Sequence, residues 1–204
     1  MQFEVYVEEP SAEAALDILI PRIIGINHCH RIYNLGDKSR LKRELPKRLR
    51  SYRGISLDQM RIVALIDRDQ DDCVVLKSEL EAMSAMARLP TRAARSSSHL
   101  VPVMDTRIAI EELEAWFIGD VKALRAVYPK IPQTMDRQAA FRDPDAVVGG
   151  TWEALERLLQ RYGYHPGGLA KIRLARDVAP HMDPERNRSA SFCRFRDALR
   201  ELAR

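Results

Sequence analysis

Phe3, Val5 and Val7 alternate with Glu4, Tyr6 and Glu8, and this period of two predicts a first strand. Glu9-Pro10-Ser11 breaks it. Pro10 has no backbone N–H and Ser11 is a good N-cap, so a helix is expected over 12–24, kinked or shortened at Pro21. Residues 28–35 predict a second strand, Gly36-Asp37 a turn, and 38–53 a helix with Leu41, Leu45 and Leu49 four apart. The run 61–66 is continuous, apolar and rich in β-branched residues, which fits a strand buried on both faces of a parallel sheet. A helix is expected over 73–89, with Val74, Leu76, Leu80, Met83 and Met86 among its apolar positions. Residues 99–104 and 107–110 suggest one further strand or two short ones. Strands alternating with helices indicate βαβ units.

The second half reads differently. Residues 111–117 turn back into a helix, and 130–150, rich in Pro, Asp, Gly and Gln, form a long loop. Helices are expected over 152–162, 169–179 and 191–203, with a turn at 163–168 and a polar connector at 184–189. The expected architecture is therefore α/β: a mainly parallel sheet flanked by helices over 1–120, with a mostly helical extension over 121–204 packed on it.

Composition narrows the classes. With 46% hydrophobic and 30% charged residues, the chain has the balance of a soluble globular protein. Cys29, Cys73 and Cys193 are odd in number and lack CxxC spacing, which argues against a disulfide framework or a zinc finger. His28-Cys29-His30 lacks further ligands at regular spacing. No apolar run approaches the roughly 18–20 residues of a membrane helix. No basic segment precedes an apolar one at the start, so no secretory leader is expected, and the free thiols suit the cytoplasm.

The net charge of +4 and pI near 9.1 are mildly basic, and the distribution says more. Helix 38–53 carries Lys38, Arg40, Lys42, Arg43, Lys47, Arg48, Arg50 and Arg53 against Glu44 alone. It suits a phosphate backbone, and equally a solvated face or a protein contact. Lys171, Arg173 and Arg176 form a second basic group that could approach a scissile phosphate or simply face solvent.

The acidic counterpart is Asp67-Arg68-Asp69-Gln70-Asp71-Asp72, which directly follows the buried run 61–66. Glu8 ends another strand. Ligands of parallel sheets sit at the carboxyl ends of strands. Clustered carboxylates repel unless a cation neutralises them, and oxygen ligands suit Mg²⁺ or Mn²⁺. The alternative is a solvated acidic turn. An EF-hand is excluded, because the glycine and closing glutamate do not fall at the required spacing. Glu112 or Glu114 could add a carboxylate, or serve only the dipole of the helix they begin. His28, His30 and His99 are candidate general bases or structural residues, while Trp116, Phe117 and Trp152 read as core.

Two segments resemble the paired motif of Toprim domains: Val7-Glu8-Glu9-Pro10-Ser11-Ala12-Glu13 and Leu65-Ile66-Asp67-Arg68-Asp69. Residues 111–120 and 183–192 extend the resemblance to one Toprim-like family of prokaryotic domain-of-unknown-function proteins, often encoded beside ABC/AAA-type ATPases. The resemblance implies that Glu8, Asp67 and Asp69 are the catalytic, metal-binding acids, with Asp71 at the place of a frequent third aspartate. Glu9 stands where many Toprim proteins have glycine. The chain is too short for a topoisomerase or primase, so the expected activity is that of a Mg²⁺- or Mn²⁺-dependent nuclease. It would act with an ATPase partner, in defence against foreign DNA. The alternatives are a non-catalytic interaction subunit and a phosphohydrolase of small phosphoesters.

Overall fold

A computed structural model of the chain describes residues 1–94 and 101–204. Four strands form one parallel sheet in the order β2-β1-β3-β4: β1 (Gln2–Val7), β2 (Cys29–Asn34), β3 (Met60–Asp67) and β4 (Met104–Ala109). Helix α1 (Pro10–Ile24) connects β1 to β2, α2 (Lys38–Arg50) connects β2 to β3, and α3 (Cys73–Met86) follows β3. The chain steps outward one way from β1 to β2 and the other way from β3 to β4. The C-terminal ends of β1 and β3 therefore flank the point where the winding reverses, where open α/β sheets bind ligands.

The period of two sorts the strand residues onto two faces. Phe3, Val5, Val7, Val63 and Leu65 pack beneath α1 in a cluster that also takes in Trp116, Phe192 and Phe195. Tyr6, Ile62, Ala64 and Ile66 face Leu41, Leu45 and Leu49 of α2 and Leu76 and Leu80 of α3. Because α1 lies on one face and α2 and α3 on the other, oppositely directed crossovers share one hand.

Five further helices build the second half: α4 (Glu114–Ile118), α5 (Val121–Val127), α6 (Thr151–Arg161), α7 (Lys171–Val178) and α8 (Ala190–Leu202). Both α7 and α8 pack on α1, and α8 also packs on β4, so one apolar cluster unites residues of the first and second halves. Among the described residues no helix is long and apolar enough to cross a membrane.

Several boundaries differ from expectation. Glu9, not Ser11, is the N-cap of α1, with Pro10 in the first turn; Ser11 is buried within the helix and its hydroxyl donates to Glu9 Oε1 at 2.5 Å. Pro10 suits that first turn because its missing N–H has no partner to lose there. Helix α1 continues through Pro21 to Ile24. Helices α2 and α3 end three residues early, at Arg50 and Met86.

The expected strand over 99–104 begins outside the described residues, as does His99. Of the two alternatives, one strand is found: Asp105 and Thr106 lie within β4, and both are buried. Each of these polar side chains has a partner, although Asp105 Oδ1 accepts no hydrogen bond among the described residues. Arg107 Nη2 donates to Asp105 Oδ2 at 2.5 Å, and Thr106 donates to Glu81 and accepts from Lys77. The helix expected over 111–117 starts at Glu114, because Glu111 takes a left-handed conformation (φ 61°). Helix α5 was not apparent in the sequence pattern.

Residues 111–120 and 183–192 dock on each other. Asp120 is fully buried and receives both arms of Arg186, Nε to Oδ1 and Nη2 to Oδ2, each at 2.9 Å. It also accepts the N–H groups of Ala123 and Asp183. Asn187 donates to Trp116 O at 2.7 Å, and Trp116 Nε1 donates to Ser191 Oγ at 2.9 Å. These motifs form a buried hydrogen-bonded knot that joins the α4–α5 turn to α8.

Candidate metal centre at the sheet switch point

Glu8 lies one residue past β1 and Asp67 is the last residue of β3. Parallel pairing of the two strands puts their carboxyl ends side by side. Glu8 Oε1 accepts the Asp67 N–H at 2.7 Å, so the glutamate ties one strand end to the other. Both side chains are buried. Burial pushes the Glu8 carboxyl up to about 7, against the pull of the Asp67 N–H and Lys38. Asp67 is raised well above the usual carboxylate range, first by burial and then by the charges of Glu8, Glu114 and Glu9. Carboxyls that repel at close quarters favour the protonated form until a cation arrives.

The loop beyond Asp67 is tightly shaped. Asp69 is left-handed (φ 49°) and its N–H donates to Glu111 O at 2.8 Å, opposite the left-handed Glu111. Arg68 N–H donates to Ala109 O at 2.8 Å, and its guanidinium pairs with Glu111. The turn thereby directs Asp69 and Asp71 to Lys38 at the start of α2, whose Nζ lies 2.6 Å from Asp69 Oδ2 and 2.9 Å from Asp71 Oδ2. Asp72 is the N-cap of α3, accepting from the N–H groups of Val74 and Val75.

A second lysine organises the other side. Lys171, in the first turn of α7, lies 2.9 Å from Glu112 Oε1, 3.7 Å from Glu114 Oε2 and 3.9 Å from Glu9 Oε1. Its ammonium also sits 5.4 Å from the centre of the Trp152 ring. A cation at a helix N-terminus opposes the helix dipole, so these acids account for its position. They raise its affinity for the proton despite burial. Glu112 is not a first-turn acid of α4. Its Oε2 accepts Trp152 N–H at 2.9 Å and Thr151 Oγ1 at 3.1 Å, capping α6, whose N-cap Gly150 has no side chain to do so. Burial raises the Glu112 carboxyl, but Lys171 and the Trp152 N–H outweigh it and hold the group low.

Glu114 is fully buried, and neither carboxyl oxygen has a hydrogen-bond partner among the described residues. Burial drives it up to about 7, with Lys171 opposing and Glu112 and Glu9 adding to the rise.

The structure thus brings Glu8 and Asp67 together and surrounds them with two lysine-held groups. Lys38 holds Asp69 and Asp71, and Lys171 draws in Glu9, Glu112 and Glu114. Among the described residues no three His, Cys, Asp or Glu side chains are arranged to hold a metal ion. The carboxylates around Glu8 and Asp67 are instead held by the two ammonium groups, Lys38 on Asp69 and Asp71 and Lys171 on Glu112. The Glu114 oxygens have no hydrogen-bond partner among the described residues, and carboxylate oxygens are the donor type that hard cations take once ionised. Beside the centre opens a cavity of about 550 Å³, lined in part by Arg68, Gln70, Glu111 and the left-handed Gly149 and Gly150.

The remaining candidates lie apart. Lys42 pairs with Glu79, and Arg43 and Lys47 pair with Glu44; Arg40 is exposed beside them. His28 contacts the N-terminus and Phe3, and His30 bonds Asp17. Trp116 and Phe117 are core, and Trp152 is half-buried. Lys171, a candidate phosphate contact by sequence, instead sits among Glu9, Glu112 and Glu114, and no periodicity shows that these residues meet.

Fold and centre together define an α/β protein with buried acids at the switch point of a parallel sheet. A family model described as "Domain of unknown function (DUF4276)" matches residues 7–203, and the chain belongs to that family. No curated protein and no solved structure matches the chain.

Proposed function

We propose that the chain is a Toprim-like, metal-dependent phosphodiesterase that cleaves nucleic acid and works with an ATPase partner. The observation that carries the proposal is the joining of Glu8 and Asp67, buried and resistant to ionisation, at the reversal point of the sheet. The Toprim assignment rests on the Glu8 and Asp67-x-Asp69 motifs, and the ATPase and the defence role on the resemblance those motifs carry.

Glu8 and Asp67, with Asp69 once released from Lys38, are the residues that would hold Mg²⁺ or Mn²⁺. A bound dication supplies charge neutralisation and polarises a phosphoryl oxygen. The chain supplies the rest. Glu8 Oε1 accepts the Asp67 N–H, which orients the carboxyl and ties the two strand ends together at the centre. Lys171 positions Glu112 and Glu114 and keeps a positive charge beside the centre. Lys38 couples α2 to the acidic loop, and exposed Arg40, Arg43 and Lys47 of that helix are the residues that would contact phosphates.

The test is incubation with Mg²⁺ or Mn²⁺ and plasmid, single-stranded DNA or RNA, beside Asp67→Asn. Cleavage lost in the variant is expected; cleavage that survives it rules the site out. A second reading, a non-catalytic interaction module, draws on Lys38 lying 2.6 Å from Asp69. It gains if neither cleavage nor metal binding occurs. Release of phosphate from nucleotides without nicking would favour a small-phosphoester hydrolase.

A further inference from the structure

We infer that the cavity between α5, the 133–137 turn and the 186–188 segment binds a small polyphosphate-bearing anion. This open cavity has a volume of about 730 Å³, a size typical of small-ligand sites. Lys122, Arg125, Arg137, Arg186 and Arg188 all line it. The acids on the same wall, Asp120 and Asp136, are each committed to one of those cations: Asp120 to Arg186 at 2.9 Å and Asp136 to Arg188 at 2.9 Å. Five cations less two acids leave three positive charges on the wall.

Lys122, Arg125 and Arg137 have no ion-pair partner among the described residues. Arg125 adds a sharper mark, because its Nε is buried without a hydrogen-bond partner among those residues. A guanidinium cannot shed its proton, so Arg125 keeps its full charge on the cavity wall, where an anionic oxygen would be attracted.

The excess charge selects the ligand. A single phosphate group carries roughly two negative charges at neutral pH, fewer than the wall offers, whereas a di- or triphosphate matches it. Free polyphosphate and the phosphate tail of a nucleotide share this chemistry. The cavity has no lining residue in common with Glu8, Asp67 or the acidic loop, so the inference stands apart from the proposed cleavage reaction.

Calorimetric titration of the intact chain with inorganic triphosphate, and separately with ATP, tests the inference. Saturable binding is expected, weakened about tenfold or more by Arg125→Gln, as fits loss of one charge-assisted hydrogen bond. Lys122→Gln and Arg137→Gln alter exposed side chains, so they report even if Arg125→Gln fails to fold; each should weaken binding and steepen no melting transition. Equal affinities would assign free polyphosphate and tighter ATP a nucleotide, both in support. No saturation with either probe at millimolar concentration, or binding unchanged in all the folded variants, would overturn it.

Discussion

Glu8→Gln isolates the electrostatic cost of the centre. Glutamine keeps the Oε1 acceptor for the Asp67 N–H but cannot ionise. In the native protein the Glu8 carboxyl rises from an ordinary 4.5 to about 7. The native state therefore keeps a proton that the unfolded chain releases between those values. Stability from this group is fully present below about 4.5 and is lost as pH rises through about 7. At about 1.4 kcal/mol per pH unit, the difference is worth up to about 3 kcal/mol. With about 2–4 °C per kcal/mol for a chain of this size, that is about 6–12 °C in melting temperature. Urea and thermal denaturation of both proteins in chelator should agree near pH 4 and diverge at about pH 8.5, with Glu8→Gln the more stable. A difference that does not change with pH, or a variant less stable at both ends, would refute the reasoning.

Other substitutions probe the surrounding supports. Lys171→Met should cost about 3 kcal/mol at alkaline pH by stripping buried acids of their cation, and less below about 7, where Glu114 takes up a proton; denaturation at two pH values checks it. Asp120→Asn leaves Arg186 without its bidentate partner and should lower stability by about 3 kcal/mol in urea denaturation, with activity per folded molecule unchanged. A methyl at Gly119 would overlap Asn187 Oδ1 and come 2.9 Å from Ser189 N, so Gly119→Ala should destabilise by about 2 kcal/mol or more.

The parallel sheet was legible because its central strand β3 is a continuous apolar run and β1 alternates strictly. Glu8 and Asp67 were legible for the same reason: each sits where a strand pattern stops. Elements whose polar residues are satisfied by distant partners were not. Asp105 and Thr106 left one strand or two open, because the side chains that partner them come from α3 and from Arg107 on the same strand. Glu112 reads as a first-turn acid until α6 arrives from forty residues away to be capped by it. Ser11 lost the cap to Glu9 because Pro10 suits the first turn itself. The lysine clamps depend on tertiary approach, Lys38 across to Asp69 and Lys171 back to Glu112, which no local pattern encodes.

The account stands most directly on whether a dication displaces these clamps. Titration of the intact chain with Mn²⁺ at mildly alkaline pH, followed by calorimetry and melting temperature, measures that. Saturable binding is expected, with stabilisation of about 2.7 kcal/mol at a hundredfold excess over the dissociation constant, and both are expected to vanish in Asp67→Asn. No binding at millimolar Mn²⁺, or binding that Asp67→Asn leaves intact, would contradict a metal centre at Glu8 and Asp67.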